Sequence, residues 1–439
     1  MKISIKKAWI IAPVLVVAAI YAGCTKGPDI KSYSYPAAVP QGITPGSGYP
    51  GSYLTINGSS FGDYRGVVKV YFNGILADTI VSCEDGKIVV QVPSTAQSGK
   101  VSLQVWDNKY DSIGDYTVYP PLTITKTGIL AGLLGDTIRI QGSGLGTDVS
   151  KIKVNFPNAD GTVVSVNDSV ITTTVPTGAA DGNLTVSVND SLLAGPQFEF
   201  LVPAPNPIYQ LDFEGNLIDK ISNVAAVYNQ GAASPLSWPD GISGKCVQMA
   251  GYSATSWTNA QSIAIPAVIA KQREVTVACW VNWAPSRNGL QDPVFDFGES
   301  RSLRYTLMTR MNGGTWTVTG GKMVGRYIMN GKVPAGAPIS WEDFIAGSAL
   351  ITGVWTHVAM TLSYADLSIK VYMNGKLTGT KILSRTDVDP LLMNIKNAYI
   401  GAASFGSGTE TAFGGQIDKF QVFNSVLTED EIKTLYYKK

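Results

Sequence analysis

The stretch PGSYLTINGSSFG at 50–62 returns as LGDTIRIQGSGLG at 134–146, and this duplication constrains the first half of the chain more than any other feature. Gly58 and Gly62 fall on Gly142 and Gly146, an offset of 84, which also lays VKVYF (68–72) on IKVNF (152–156). VVQVP (89–93) then answers TTTVP (172–176) at an offset of 83, and VSLQV (101–105) answers LTVSV (184–188). Each copy alternates apolar and polar residues between Gly/Asn/Asp turns, the pattern of half-buried antiparallel strands. A repeat this long is a domain rather than a turn of a solenoid. Two tandem two-sheet sandwiches are therefore predicted, at 42–118 and 119–202.

Pro203-Ala204-Pro205-Asn206-Pro207 is a stiff break at 203–207. Beyond it the texture changes, and seven of the nine tryptophans lie after residue 207. Runs such as VTVACWVNW (275–283), RYTLMTR (304–310), WTHVAMTLS (355–363), IKVYMNGK (369–376) and GQIDKFQVF (415–423) read as strands. A single short helix is predicted over Thr428–Tyr436, with Thr428 as its cap and Glu431 completing a capping box. So many strands in 208–437 predict one larger jelly-roll-like sandwich. The fold class is all-β.

The repeats resemble the IPT/TIG family of immunoglobulin-like modules, on the G-x-x-F/L-G after the first strand and the later V-P. Residues 208–437 resemble the concanavalin A-like laminin-G/pentraxin domains, in order: LDFEGNLIDKISN, GKCVQMAG, VTVACWVNW, GVWTHVAMTLSYADLSIKVYMNGKLTG, AYIGA and GGQIDKFQVFNSVLTEDEI. That likeness implies that WTHVA and VYMNGK are neighbouring strands, with Asn374-Gly375 as a tight turn.

The first 23 residues read as a leader, with Lys2, Lys6 and Lys7 ahead of the apolar stretch Ala8–Ile20. The stretch ends in YAGC, which resembles a bacterial lipoprotein signal and implies lipidation of Cys24. An acyl anchor contributes about 0.8 kcal/mol per buried CH₂ and leaves the remaining chain in water. Residues 24–41 read as a spacer. With residues 1–23 removed, basic residues fall from 34 to 31 against 33 acidic, a net charge of −2. Nucleic acid is not expected as a partner, because phosphate backbones are held by a basic surface. Cys83, Cys246 and Cys279 remain, in spacings that suggest no zinc site and permit at most one bridge.

His357 is the only histidine and falls inside a strand, without a G-x-S-x-G or a second histidine to serve. It is expected to be structural. The E-x-D-x-x-E run of sandwich-type glycoside hydrolases is absent too, and Glu429-Asp430-Glu431 belongs to the first turn of the helix. No enzyme is expected. Candidate ligand contacts are the aromatic and polar residues of Gly/Ser/Asn-rich loops: Tyr252, Trp257, Arg310, Asn312, Trp316 and Trp341. A sugar ring can lay its C–H face on such an aromatic while polar side chains read its hydroxyls. Packing of the loops by their own aromatics is the competing role. Trp106, with Tyr110 and Tyr116, offers a similar surface in the first repeat, where packing is the preferred reading. The laminin-G resemblance further implies a Ca²⁺ site, with Asp212, Glu214 and Asp418 as candidate ligands.

The domain order resembles that of the surface glycan-binding proteins of Bacteroidota polysaccharide-utilisation systems. It implies a lipid-anchored outer-membrane protein, facing the exterior, that holds polysaccharide or oligosaccharide near a glycan importer. A protein-binding adhesin and a polysaccharide hydrolase or lyase are the alternatives.

Overall fold

The computed structural model describes residues 36–229, 235–251, 261–284, 291–300, 302–310, 321–329, 342–387, 389–403 and 412–439. They fall into two compact units. One runs up to Ile124 and takes in Gln141–Thr147 and Val166–Val170, while the other comprises Thr125–Ile140, Asp148–Ser165 and Ile171–Lys439.

The first repeat is a sandwich of two sheets. Val39–Thr44, Tyr53–Ser59, Lys87–Gln91 and Ile80–Glu84 form one in that spatial order. Ser47–Gly48, Asn108–Val118, Gly99–Val105, Val68–Phe72 and Ile75–Leu76 form the other. Alternation sends Leu54, Ile56, Val70, Phe72, Ile88, Val90, Val101 and Leu103 into a common core. The opening strand starts at Val39, so the sandwich takes in the last residues of the segment read as spacer.

The G-x-x-F/L-G motif has a steric cause. A Cβ at Gly58 would collide with the Phe61 ring and the Val39 carbonyl, and one at Gly142 with the Thr123 carbonyl. Gly62 and Gly146 hold φ of +74° and +76°, the left-handed region that side chains avoid. In the second repeat the long strand Ala159–Asn167 replaces the shorter Ile75–Leu76 and Ile80–Glu84 of the first. Its length joins what would be two sheets into one continuous path of eight strands.

The C-terminal domain is two seven-stranded sheets face to face. The first runs Tyr209–Leu211, Gly414–Phe423, Glu274–Trp283, Trp355–Ser363, Ser368–Met373 and Lys376–Ile382, with Val247–Ala250 also paired to Gly414–Phe423. The second runs Val227–Asn229, Ser262–Ala264, Asn397–Ile400, Gln291–Ser300, Leu303–Arg310, Lys322–Met329 and Glu342–Ala349. Val277, Cys279, Val281 and Trp283 of the first meet Phe295, Phe297, Tyr305, Leu307 and Tyr327 of the second in one core. WTHVA and VYMNGK do pair, Val358 opposite Met373, and Asn374 and Gly375 turn the chain at φ of 50° and 78°.

Part of the outer face of the first sheet is covered. Ala278, Ala359, Tyr372 and Phe423 on that face are covered by Leu427, Ile432 and Leu435 of the C-terminal segment. The helix Glu429–Tyr437 starts with the expected box, Thr428 accepting from Glu431 N while the Glu431 side chain accepts from Thr428 N.

Candidate functional site

The strand Leu303–Arg310 shows how the second sheet divides its residues. Leu303, Tyr305 and Leu307 enter the core, so Arg304, Thr306 and Met308 turn the other way. The same alternation turns Asp296 outward between Phe295 and Phe297, and Arg326 outward beside the core residue Tyr327. Register then assembles a transverse row: Tyr399 opposite Asp296, Asp296 opposite Thr306, Thr306 opposite Arg326, and Arg326 opposite Phe344. Met308 and Val324 form a small apolar cluster beside it, with Phe344 and Ala346 packed against them.

The charges on this face are paired. Arg304 Nη1 donates to Asp296 Oδ2 at 2.7 Å, with both side chains fully buried. Arg326 Nε donates to Glu342 Oε1, with side-chain exposures of 13% and 23%. Thr306 Oγ1 donates to the Phe295 carbonyl at 2.6 Å. Burying an ion pair costs desolvation that an apolar pair of equal volume avoids, so such a pair contributes little net stability. Asp296, Arg304 and Thr306 are fully buried, so the half-buried Tyr399, Arg326 and Phe344 are the members of this row left to meet a ligand.

The sequence reasoning missed this face. Its signal was present in RYTLMTR, where Arg304, Thr306 and Met308 alternate with the core residues Tyr305 and Leu307. Of the residues expected to contact ligand, Arg310 closes the strand Leu303–Arg310, with its backbone opposite Gln291 and Lys322. Tyr252, Trp257, Asn312, Trp316 and Trp341 lie outside the described residues, as does Cys24. Trp238, another loop tryptophan, packs against the domain core. Trp283 is a core residue too, its Nε1 donating to Asp292 Oδ2 at 3.1 Å.

His357 is structural, as expected. It is 2% exposed, and its ring meets Trp280 at 5.4 Å and Tyr436 at 6.3 Å between centroids. Its Nδ1 has no hydrogen-bond partner among the described residues, and burial lowers its pKa to about 3. Cys83, Cys246 and Cys279 are free thiols, and burial raises that of Cys246 to about 12.

The three acidic residues suggested for calcium have other work. Asp418 is fully buried, and its Oδ2 accepts from Ile242 N at 3.0 Å while Oδ1 accepts from Lys419 N at 2.8 Å. Burial raises its pKa to about 6 against those hydrogen bonds. Glu214 Oε2 accepts from Lys245 N at 2.8 Å and its Oε1 lies 3.8 Å from Lys419 Nζ. A Cβ at Gly241 or Gly244 would strike these two carboxylates, so both glycines serve to bring the 241–245 backbone onto them. Asp212 accepts from Gln210 Nε2 at 2.7 Å and borders a cavity of about 210 Å³ shared with Lys419, Lys438 and Lys439. Each of these carboxylates accepts at least one hydrogen bond within the protein, whereas a hard cation takes six to eight oxygens. Among the described residues no group of three or more His, Cys, Asp or Glu is arranged to hold a metal.

Residues 258–433 match the family model of the concanavalin A-like lectin/glucanases superfamily, and residues 38–125 and 121–200 each match the IPT/TIG domain. The chain thus carries two IPT/TIG domains and a concanavalin A-like domain. Among solved structures it is similar to domain 4 of AbnA, a GH43 extracellular arabinanase from Geobacillus stearothermophilus, in complex with arabinotriose. That match has 16% identity, covers 53% of this chain and 99% of the other, and has a TM-score of 0.39. The CBM40 of a Ruminococcus gnavus IT-sialidase bound to α2,3 sialyllactose is similar at 16% identity over 44% and 95%, with a TM-score of 0.32. The binding domain of Botulinum Neurotoxin DC in complex with SialylT is similar at 15% identity, with a TM-score of 0.37. That match covers 53% of this chain, which spans about half (51%) of the toxin domain's length.

Proposed function

We propose that the protein binds polysaccharide through its concanavalin A-like domain without cleaving it, and acts as a lipid-anchored capture protein at the outer membrane. The observation that carries this reading is the group Tyr399, Arg326 and Phe344, half-buried on the second sheet's outer face beside the fully buried Asp296 and Thr306. It offers aromatic faces for sugar rings and a fork of donors and acceptors for hydroxyls. The C-terminal helix covers part of the first sheet's outer face. The match of 258–433 to a superfamily of lectins and glucanases supports carbohydrate as the ligand class.

Binding without cleavage follows from how the acids are used. A glycosidase needs one free carboxylate and one free carboxylic acid across the scissile bond. Here Asp296 is bonded to Arg304 and Glu342 to Arg326. The finer reading, capture of glycan for an importer in the outer membrane, rests on YAGC before the spacer and on two immunoglobulin-like domains between Cys24 and the binding domain in sequence. Affinity electrophoresis and calorimetry of the chain from Thr25 onward, against a broad panel of soluble polysaccharides, should show binding without release of reducing ends. Absence of binding across the panel rejects the glycan reading, and product formation rejects the non-catalytic one.

A further inference from the structure

The two repeats share a backbone but differ at two places that border one cavity in the first. The hairpin between Gly99–Val105 and Asn108–Val118 turns through Trp106 and Asp107, and Trp106 holds φ of 51°. The equivalent hairpin of the second repeat places Asn189 there, at φ of 47°. Asparagine and glycine enter the left-handed region at low cost, and a bulky aromatic does not. Ser60, at φ of 61°, likewise stands where the second repeat has Gly144 at 68°. So at two turns the first repeat carries a side chain in a conformation that disfavours one, while its sister carries the residue the backbone prefers. Local stability does not explain that choice.

Both side chains face the same space. A cavity of about 390 Å³ is bordered by Trp106, Phe61, Ser60, Asp107, Asn108 and Pro36. Trp106 remains 49% exposed, and Phe61, at 1%, is fixed beneath by the core. The lining combines one broad aromatic face with a hydroxyl, an amide and a carboxylate at its edge, and the volume is that of a small-ligand site. Among the described residues its one charged member is Asp107, which repels acidic sugars.

We propose that this cavity is a second carbohydrate site, in which Trp106 stacks on a neutral pyranose ring and Ser60, Asp107 and Asn108 bond its hydroxyls. It stands independently of the site on the C-terminal domain. The test replaces Trp106 by the residue its sister repeat uses. Trp106→Asn and Trp106→Phe are made in the chain from Thr25 onward, both alone and with Tyr399→Ala to weaken the other site. Binding of cellohexaose, mannohexaose, xylohexaose and maltohexaose is then measured by calorimetry and by quenching of tryptophan fluorescence, with melting temperature recorded for each variant. At least one hexasaccharide should bind the Tyr399→Ala chain, lose about tenfold or more in affinity on Trp106→Asn, and lose less on Trp106→Phe. The melting temperature should hold or rise on Trp106→Asn, because the turn becomes unstrained. Unchanged affinity overturns the proposal, as does a chain that binds none of the four sugars. A Trp106→Asn chain that melts several degrees lower with its affinity intact assigns Trp106 to packing instead.

Discussion

His357 stands opposite Trp280 in the antiparallel pair of Glu274–Trp283 and Trp355–Ser363, and its backbone is tied to Asn374 in both directions. The ring fills space under the C-terminal helix, with an Nδ1 that bonds nothing described. Charging it there would cost its hydration without return, which is why its pKa falls from 6.5 to about 3. The sign of the consequence follows. A folded pKa below the unfolded one means that the unfolded chain binds the extra proton first. The neutral ring's stabilisation is therefore complete above pH 6.5 and is lost as pH falls toward 3. The loss approaches about 1.4 kcal/mol per pH unit inside that window. Against His357→Phe, the wild-type chain should lose about 2 kcal/mol of relative stability between pH 6.5 and 4.5 in urea melts. Since the chain has one histidine, its imidazole proton resonance is unambiguous and should not titrate above pH 4. A midpoint near 6.5, or parallel pH profiles for the two proteins, would show that the ring is solvated.

At the scale of the element, the issue is which part of the C-terminal domain holds the ligand. Glycine-rich surroundings impose no local packing duty on a loop tryptophan, yet Trp238 shows that such a residue can pack on the core. The outer-face row belongs to strands instead, where register fixes spacing and buried ion pairs fix side chains. Tyr399→Ala and Arg326→Ala should each weaken polysaccharide binding about tenfold, a change of roughly 1.4 kcal/mol. If Trp257→Ala and Trp316→Ala abolish binding while Tyr399→Ala and Arg326→Ala do nothing, the rim is the site and the sheet is scaffold. The strands were legible because period-two alternation and Asn-Gly turns are local signals, and the helix because Thr428 and Glu431 are three residues apart. The shared face was not. Asp296, Thr306, Arg326 and Tyr399 come from four strands, and only pairing across the sheet makes them neighbours. The surroundings of the calcium candidates were hidden for a related reason: Asp418 accepts from Ile242 across 176 positions of sequence, so nothing local announced that bond.

At the scale of the molecule, the C-terminal helix has a second duty beyond covering part of the first sheet. Lys433 Nζ lies 3.1 Å from Asp181 and 3.5 Å from Glu199 of the second repeat, and 3.4 Å from Asp430 on its own helix. Lys438 Nζ lies 2.6 Å from Asp136, and Thr434 Oγ1 donates to the Val202 carbonyl at 2.7 Å. The Pro-rich 203–207 segment, read as a stiff break in sequence, is thus bridged by side chains on either side of it. Domains joined by small polar contacts usually move independently. Here one lysine serves three carboxylates, and Lys433 and Glu199 are only 16% and 17% exposed. Removing that lysine leaves Asp181, Glu199 and Asp430 facing one another, a repulsion added to the lost attraction. The remaining partners are more exposed, so the combined effect stays modest, about 1–2 kcal/mol. Calorimetry of the chain from Thr25 onward should show the second repeat and the C-terminal domain melting in one transition. Lys433→Met with Lys438→Met should divide that transition in two, the lower part moving by a few degrees, and high salt should do the same to the wild type by screening the pairs. Separate transitions already present in the wild type at low salt would mean that the lysines decorate the junction without coupling it.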